Sequence, residues 1–396
     1  MSDQQAALKA TVCNFIDSIS DELISLSHEI HSEPELNYAE HRAHDRCVEL
    51  LRGFAEKQNI EIEPSAFSLP TAFRASAGTT GPKIAVFCEY DALPGIGHAC
   101  GHNIIAAAGL GAGLAAAMVA DDAQGRIDIL GSPAEEGGGG KVVMIDQGAL
   151  ADVDAAMMIH PADIDLRWMT TIAVSQVEVH YYGKSAHAAA FPWEGINALD
   201  AAVLGYMNVA ALRQHIRPAE RIHGVFLDGG EKPNIVPAHS SMYWFIRAET
   251  TEHLKELEPR VLAALLAGAE ATGCTMTYEW VNHAYDHLRR NEPLENLFSR
   301  NAEAVGRKML HPEVGKMVTG STDMGNVSQV VPSIHPMLAV SPEGVGIHTP
   351  EFEQWAASAS GDKAVVDGAK AMAMTIVDLW TNPESLAQCK TAFNSK

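Results

Sequence analysis

Residues 96–103 read IGHACGHN. Three groups that bind metals, His98, Cys100 and His102, lie close together there, wedged between glycines. Small residues let a backbone turn sharply enough to aim a thiolate and an imidazole at one centre. Alone, a Cys-x-His pair is also ordinary core composition. Three further stretches change the balance. PAEEGGGGK, 133–141, sets two adjacent carboxylates, Glu135 and Glu136, before a glycine run. Adjacent carboxylates repel, so keeping both ionised calls for nearby cations. One can ligate a metal while the other accepts a proton from water. A helix N-terminus also welcomes carboxylates. GGGGK lacks the Ser or Thr after Lys141 that a phosphate loop requires. MMIHP, 157–161, ends an apolar run in His160, and GIHTPEF, 346–352, holds His348 in a glycine-flanked loop.

The set is Cys100, His102, Glu136, His160 and His348, with Glu135 alongside. Five donors suffice for two divalent metals that share a bridging group. Such a pair, about 3.5–4 Å apart, polarises a carbonyl and generates hydroxide at neutral pH. Thiolate and imidazole favour zinc or a similar first-row ion over magnesium or calcium. Two other readings fit the same residues. Cys100 could be a nucleophile with His102 or His98 as base, or the site could bind metal without turnover. The first predicts inactivation by alkylation and indifference to chelators. Glu135 argues against the second, since storage needs no base.

The elements that must position these loops alternate. Leu23, Leu26 and Ile30 mark a helix within 19–31, and another covers 38–53. Strands are expected at 83–88, 126–131 and 153–159, with helices at 104–120 and 140–147. The first three ligand stretches then each lie at the end of a strand, where open α/β sheets place their ligands. From 172 the order becomes β-α-β-β-α-β: strands at 172–182, 222–228, 241–248 and 274–280, helices at 195–214 and 251–272. In the first of these helices Ile196, Leu199, Val203, Tyr206 and Ala210 form one stripe. Helices return at 293–311 and 354–380. The expected domains are a discontinuous α/β unit, 1–171 with 289–396, and an insertion, 172–288. Four ligands precede the insertion and one follows it, so the outer segments must fold together.

The composition fits this scheme. The chain has 396 residues, 47% apolar and 20% charged, with net charge −22. That charge argues against nucleic acid or an anionic membrane as partner. The uncharged run 104–120 is Ala- and Gly-rich and reads as a buried helix rather than a membrane span. Six scattered cysteines and no secretory signal point to a reducing, cytoplasmic location.

These residues resemble the aminoacylase/carboxypeptidase metallohydrolases, metallopeptidase family 20, and within it the amidohydrolase branch (subfamily D). The matching stretches are EYDALPGIGHACGHN, PAEEGGGGK, MMIHP, GKSAHAA, GGEKPNIVP, GSTDMGNVS and GIHTP, spread over nearly the whole chain. GIGHACGHN with EEGGGGK points to the aminobenzoyl-glutamate hydrolase and β-alanyl-lysine dipeptidase side of the branch. The resemblance implies a phosphorylase/hydrolase-like α/β catalytic domain with an inserted ferredoxin-like lid that also makes a homodimer contact. It implies that Cys100 bridges two metals as thiolate, that His102, Glu136, His160 and His348 complete the shells, and that Glu135 is the general acid/base. Other branches carry His-x-Asp at the end of the first strand. Here that segment reads Phe87-Cys88-Glu89, so His102 is taken to replace the histidine and Mn2+ rivals Zn2+.

The resemblance further assigns His187, in GKSAHAA, to the metal centre of the other protomer of a dimer as an oxyanion donor. Arg247 becomes a substrate-carboxylate clamp and Asn234 an amide contact, with His223 a second substrate-side candidate. On SMYWFIRA, Met242, Trp244 and Ile246 share one face and Tyr243, Phe245 and Arg247 the other. His98 is read as a loop or supporting residue. Asp91 and Asp323 are candidates for orienting ligand imidazoles. Trp193, Tyr285 and His335 are candidates for an acyl pocket. The implied reaction is metal-dependent hydrolysis of the amide bond of N-acyl amino acids or dipeptide-like conjugates bearing a free carboxylate.

Overall fold

KIAVFCE, 83–89, is apolar over most of its length, as befits a strand covered on both faces. The computed structural model, which describes residues 2–312 and 320–395, buries all seven of these residues. In chain order the first segment carries α1 (Asp3–Ser18), α2 (Ser20–Ser32), α3 (His41–Gln58), β1 (Glu61–Glu63), β2 (Phe73–Ala77), β3 (Lys83–Glu89), α4 (His102–Ala123), β4 (Arg126–Ser132), α5 (Gly140–Asp146), β5 (Ala155–Met157) and β6 (His160–Ala162). The middle segment carries β7 (Ala173–Tyr182), α6 (Ala198–Leu212), β8 (Arg221–Asp228), β9 (His239–Ala248), α7 (Thr251–Thr272) and β10 (Thr275–Trp280). The last carries α8 (Glu292–Ala304), α9 (Met324–Val330), β11 (Ser333–Ile334), β12 (Met337–Ala339), α10 (Pro350–Ala356), α11 (Ala359–Thr381) and α12 (Pro383–Asn394). Residues 1–170 and 288–396 form one unit, and residues 171–287 another.

The first unit is built on a six-stranded sheet in the order β1-β2-β4-β3-β5-β11. Its centre is parallel, and β1 and β2 add an antiparallel edge. Helix α4 is buried along nearly its whole length because its glycines allow close approach. A Cβ on Gly113 would fall 2.4 Å from Ile129, and one on Gly109 would fall 2.6 Å from Cys88 Sγ. On its other side, a Cβ on Gly111 would meet Leu23 at 2.6 Å. Helix α4 is thus the core of the unit, and its Ala/Gly composition is a packing requirement.

Some local expectations are corrected. The strand expected at 153–159 stops at Met157, and His160 opens β6, which pairs with β12 in a separate ribbon. The helix expected over 293–311 ends at Ala304, ahead of Gly306 at φ +90°. The helix expected over 354–380 is two helices, with Ser358 capping the second through Ser360 N and Gly361 N. Helices α1, α9 and α12 were not anticipated.

The second unit has strand order β10-β7-β9-β8 with antiparallel neighbours. Helices α6 and α7 pack with β7 and β9 around Val177, Tyr181, Met242, Trp244 and Ile246. The buried stripe of α6 is Ala198, Ala201, Ala202, Gly205 and Val209, not the larger residues expected. Small residues win because α7 lies so close: a Cβ on Gly268 would fall 2.3 Å from Ala201 O. Val203, Leu204 and Met207 are left exposed.

Candidate metal centre

The carboxyl ends of the first unit's strands deliver the donors. After β3 the chain reaches Cys100, then Gly101 at φ +79°, then His102, the first residue of α4. A Cβ on Gly101 would meet Pro161 at 2.8 Å, so only glycine fits the turn. After β4, Ala134 takes φ +56° and presents Glu135 and Glu136. That uncommon conformation is held by Ala134 N donating to Glu40 Oε1 (2.9 Å) and by Gly138 and Gly139 N donating to Ala134 O. His348, at φ +64°, is tied through its own N–H to Ala99 O at 2.8 Å.

These loops converge. The donor atoms of Cys100, His102 and His160 lie within 4.8 Å of one another, as do those of Cys100, Glu136 and His348. Cys100 belongs to both triads, the position a ligand shared by two ions would take. A third set joins His102, Glu135 and Glu136. The individual separations are 3.4 Å from Cys100 Sγ to His160 Nε2 and 3.5 Å from Glu136 Oε1 to His348 Nε2.

Two hydrogen bonds fix which ring nitrogens face inward. His160 Nδ1 donates to Pro161 O at 2.7 Å, and His102 Nδ1 donates to Asp91 Oδ1 at 3.1 Å. Each turns Nε2 toward the centre, the arrangement found behind metal-bound histidines. His102 Nε2 and Glu136 Oε1 are buried with no hydrogen-bond partner. Glu89, Asp91, Glu135 and Asp323 are buried and Glu136 nearly so, against the single ammonium of Lys141 among the described residues of this centre. Such an excess of buried negative charge needs cations, so the residues fit a pair of divalent ions.

The electrostatics separate the roles. Burial, then Glu89, Glu136 and Asp323, push the Glu135 carboxyl well above the usual range. Glu136 is lowered: burial opposes this, but the His348 contact and His102 outweigh it. Burial and then His102 bring His160 down to about 4, leaving it a neutral imidazole. Burial and Glu136 raise the Cys100 thiol well above its ordinary value, despite His102. A thiol so placed is a poor free nucleophile, whereas a coordinating thiol is deprotonated by the metal itself.

Sequence reading missed a buried polar network behind the ligands. Lys141 is fully buried, and its Nζ donates to Asp323 Oδ1 at 2.7 Å and to Glu89 Oε2. Glu89 Oε1 lies 3.3 Å from His102 Nε2. Asp323 therefore orients a lysine, and only Asp91 of the two proposed aspartates contacts a ligand imidazole. The cue for Lys141 was its place closing PAEEGGGGK, but its partners lie 52 and 182 positions away. His98 is buried, with its ring centroid 6.1 Å from that of His31, and burial followed by His102 lowers it to about 3. His335 is buried against His160, centroid to centroid 5.2 Å.

The second unit carries the other candidates. His187 is exposed, its Nδ1 accepting from Ala189 N (3.3 Å) and Ala190 N (3.2 Å). Asn234, also exposed, accepts at its main-chain O from Ala188 N (3.1 Å), joining the His187 and Asn234 loops. The Arg247 guanidinium lies 4.8 Å from the Phe245 ring centroid. His223 is exposed on the edge strand β8, opposite Phe245. Trp193 is exposed, while Tyr285 pairs through its backbone with Val174.

Residues 85–378 match peptidase family M20/M25/M40. The chain is 39% identical to the Xaa-Arg dipeptidase of Mus musculus over 401 residues, covering 98% of this chain and 93% of that protein. It is 27% identical to a component chain of the p-aminobenzoyl-glutamate hydrolase of Escherichia coli, covering 92% and 90%. Its fold is similar to that of the YXEP protein of Bacillus subtilis, described as a dinuclear metal binding peptidase, at TM-score 0.68 and 20% identity, covering 92% and 99%. The protein belongs to the M20/M25/M40 family of peptidases and is a hydrolase of amide bonds.

Proposed function

We propose that this chain hydrolyses small dipeptides or N-acyl amino acids with a free carboxylate, using two first-row divalent ions, Zn2+ or Mn2+. The observation that carries the reading is Cys100 shared between two donor triads, with His102 and His160 turned Nε2-inward in the first of them. Bound there, the ions would polarise the scissile carbonyl and acidify water. Cys100, His102, Glu136, His160 and His348 hold them. Glu135 removes a proton from the attacking water and passes it to the leaving amine.

The second unit is read as a ferredoxin-like lid. His187 accepts two backbone N–H groups at Nδ1, so its proton sits on Nε2, the form that donates to a developing oxyanion. In a homodimer each copy would supply this donor to the other. The dimer reading is supported by exposed Val225, Phe226 and Leu227 on the edge strand β8 and exposed Val203, Leu204 and Met207 on α6. Arg247 and Asn234 take the substrate carboxylate, and His223 flanks it. The net charge of −22 favours a cationic substrate. With the full-length likeness to Xaa-Arg dipeptidases, it makes dipeptides ending in Arg or Lys the first substrates to assay. N-acyl glutamates and β-alanyl dipeptides complete the panel. Glu135→Gln should lower kcat by about 10²–10⁴ while metal content stays at the wild-type level. Wild-type turnover in that variant would remove Glu135 from the chemistry.

A further inference from the structure

The second unit holds another group of side chains that could ligate a metal, none of them shared with the Cys100 centre. Glu178 and His180 alternate on β7 and so share a face of the sheet, the one opposite Val177 and Val179. On the neighbouring β10, Glu279 pairs directly with Glu178, and Thr277 with His180. The donor atoms of Glu178, His180 and Glu279 all lie within 4.8 Å of one another, and His180 Nε2 is 3.3 Å from Glu178 Oε1.

A second observation comes from outside this triad. His180 Nδ1 is 3.2 Å from His239 Nε2, and His239 Nδ1 is 2.6 Å from Asp228 Oδ2. Asp228 is held in its ionised form, first by the Gly230 N–H and then by His239, so it accepts. His239 Nδ1 therefore carries a proton and donates it. Its Nε2 shares a hydrogen bond with His180 Nδ1, one ring donating and the other accepting. The contact turns His180 Nε2 toward the Glu178 carboxylate, with Glu279 beside it. An imidazole nitrogen facing two carboxylates calls for a cation between them, either a proton on the ring or a metal ion. A ligating histidine backed through its other nitrogen is also the usual support of a metal site.

We propose that Glu178, His180 and Glu279 bind a single first-row divalent cation on one nitrogen and two carboxylates, with His239 and Asp228 fixing the imidazole. Nitrogen and oxygen donors in this ratio suit Zn2+, Mn2+ or Co2+ better than Mg2+ or Ca2+. The ion would staple the edge strand β10 to β7. The site is independent of the catalytic reading, because none of its residues belongs to the Cys100 centre.

The test is calorimetric titration of Zn2+ into full-length protein already saturated at its tight sites, with amide hydrogen exchange of β10 followed in parallel. Wild type should take up one further equivalent. At 100-fold excess over the dissociation constant, openings that break the site should become about 100-fold rarer and the β10 amides correspondingly slower to exchange. His180→Ala and the milder, solvent-side Glu279→Gln should each lose both effects and keep wild-type hydrolysis measured without added metal. No further equivalent in wild type, or an equivalent and exchange protection retained in both variants, would overturn the proposal. Protonation of His180 between the carboxylates would then account for the cluster.

Discussion

Replacing Lys141 with Met should destabilise the first unit more than any single ligand substitution, although Lys141 holds no ion. Its side chain is fully buried, and its ammonium lies between Glu89 and Asp323, both also fully buried. Asp323 and Glu89, followed by Glu135, hold the ammonium charged against the effect of burial. Methionine fills much the same volume, so packing is nearly conserved and the change is electrostatic. Removing one partner of a buried pair costs about 3–5 kcal/mol. That is a large share of the roughly 5–15 kcal/mol that holds a domain folded. Urea unfolding of the metal-free protein, followed by far-ultraviolet circular dichroism, measures it. The midpoint should fall by an amount equivalent to about 3 kcal/mol or more, and Glu89→Gln in the same chain should recover part of the loss by removing the stranded charge. A midpoint within about 1 kcal/mol of wild type, or a double variant no better than Lys141→Met alone, would refute the claim that this lysine neutralises the carboxylates behind the ligands.

Other outcomes follow from the same geometry. Gly101→Ala forces a Cβ to 2.8 Å from Pro161 at φ +79°; it should lower metal content as well as stability, read by elemental analysis of the purified variant. Chelation should abolish hydrolysis and added Zn2+ or Mn2+ restore it, whereas thiol alkylation of the metal-loaded enzyme should act slowly, since Cys100 is buried. Burial, followed by Asp91, raises the Glu40 carboxyl to about 7. Its folded state therefore binds more protons than its unfolded state between about pH 4.5 and 7, and this contribution to stability falls as pH rises through that window. In Glu40→Gln the slope should flatten there, so the stability of the variant relative to wild type should rise from about pH 5 to about pH 8 in denaturation measurements.

What could be seen in the sequence was what local pattern encodes. Cys100, His102, Glu136 and His160 sit in short glycine- or proline-marked loops at strand ends, and each motif carries its own turn chemistry. His348 was visible for the same reason, although it is 188 positions beyond His160. The buried stripe of α6 was misplaced because size was read as burial, when close helix contact at Gly205 and Gly268 selects the smallest side chains. The Lys141, Glu89 and Asp323 network was invisible because nothing in PAEEGGGGK distinguishes a buried lysine from a solvated one. Its partners are fixed by the meeting of β3, the glycine turn and the segment before α9. The shift from β5 to the separate β6 ribbon, which sets His160 at the centre, is likewise a tertiary event within one apolar run.

The most direct measurement is anomalous diffraction from crystals grown with Zn2+ or Mn2+. The account predicts two peaks about 3.5–4 Å apart, one against His102 and His160, the other against Glu136 and His348, with Cys100 Sγ between them. A single peak that excludes Cys100, or full activity in crystals and solution with no peak at this centre, would contradict it.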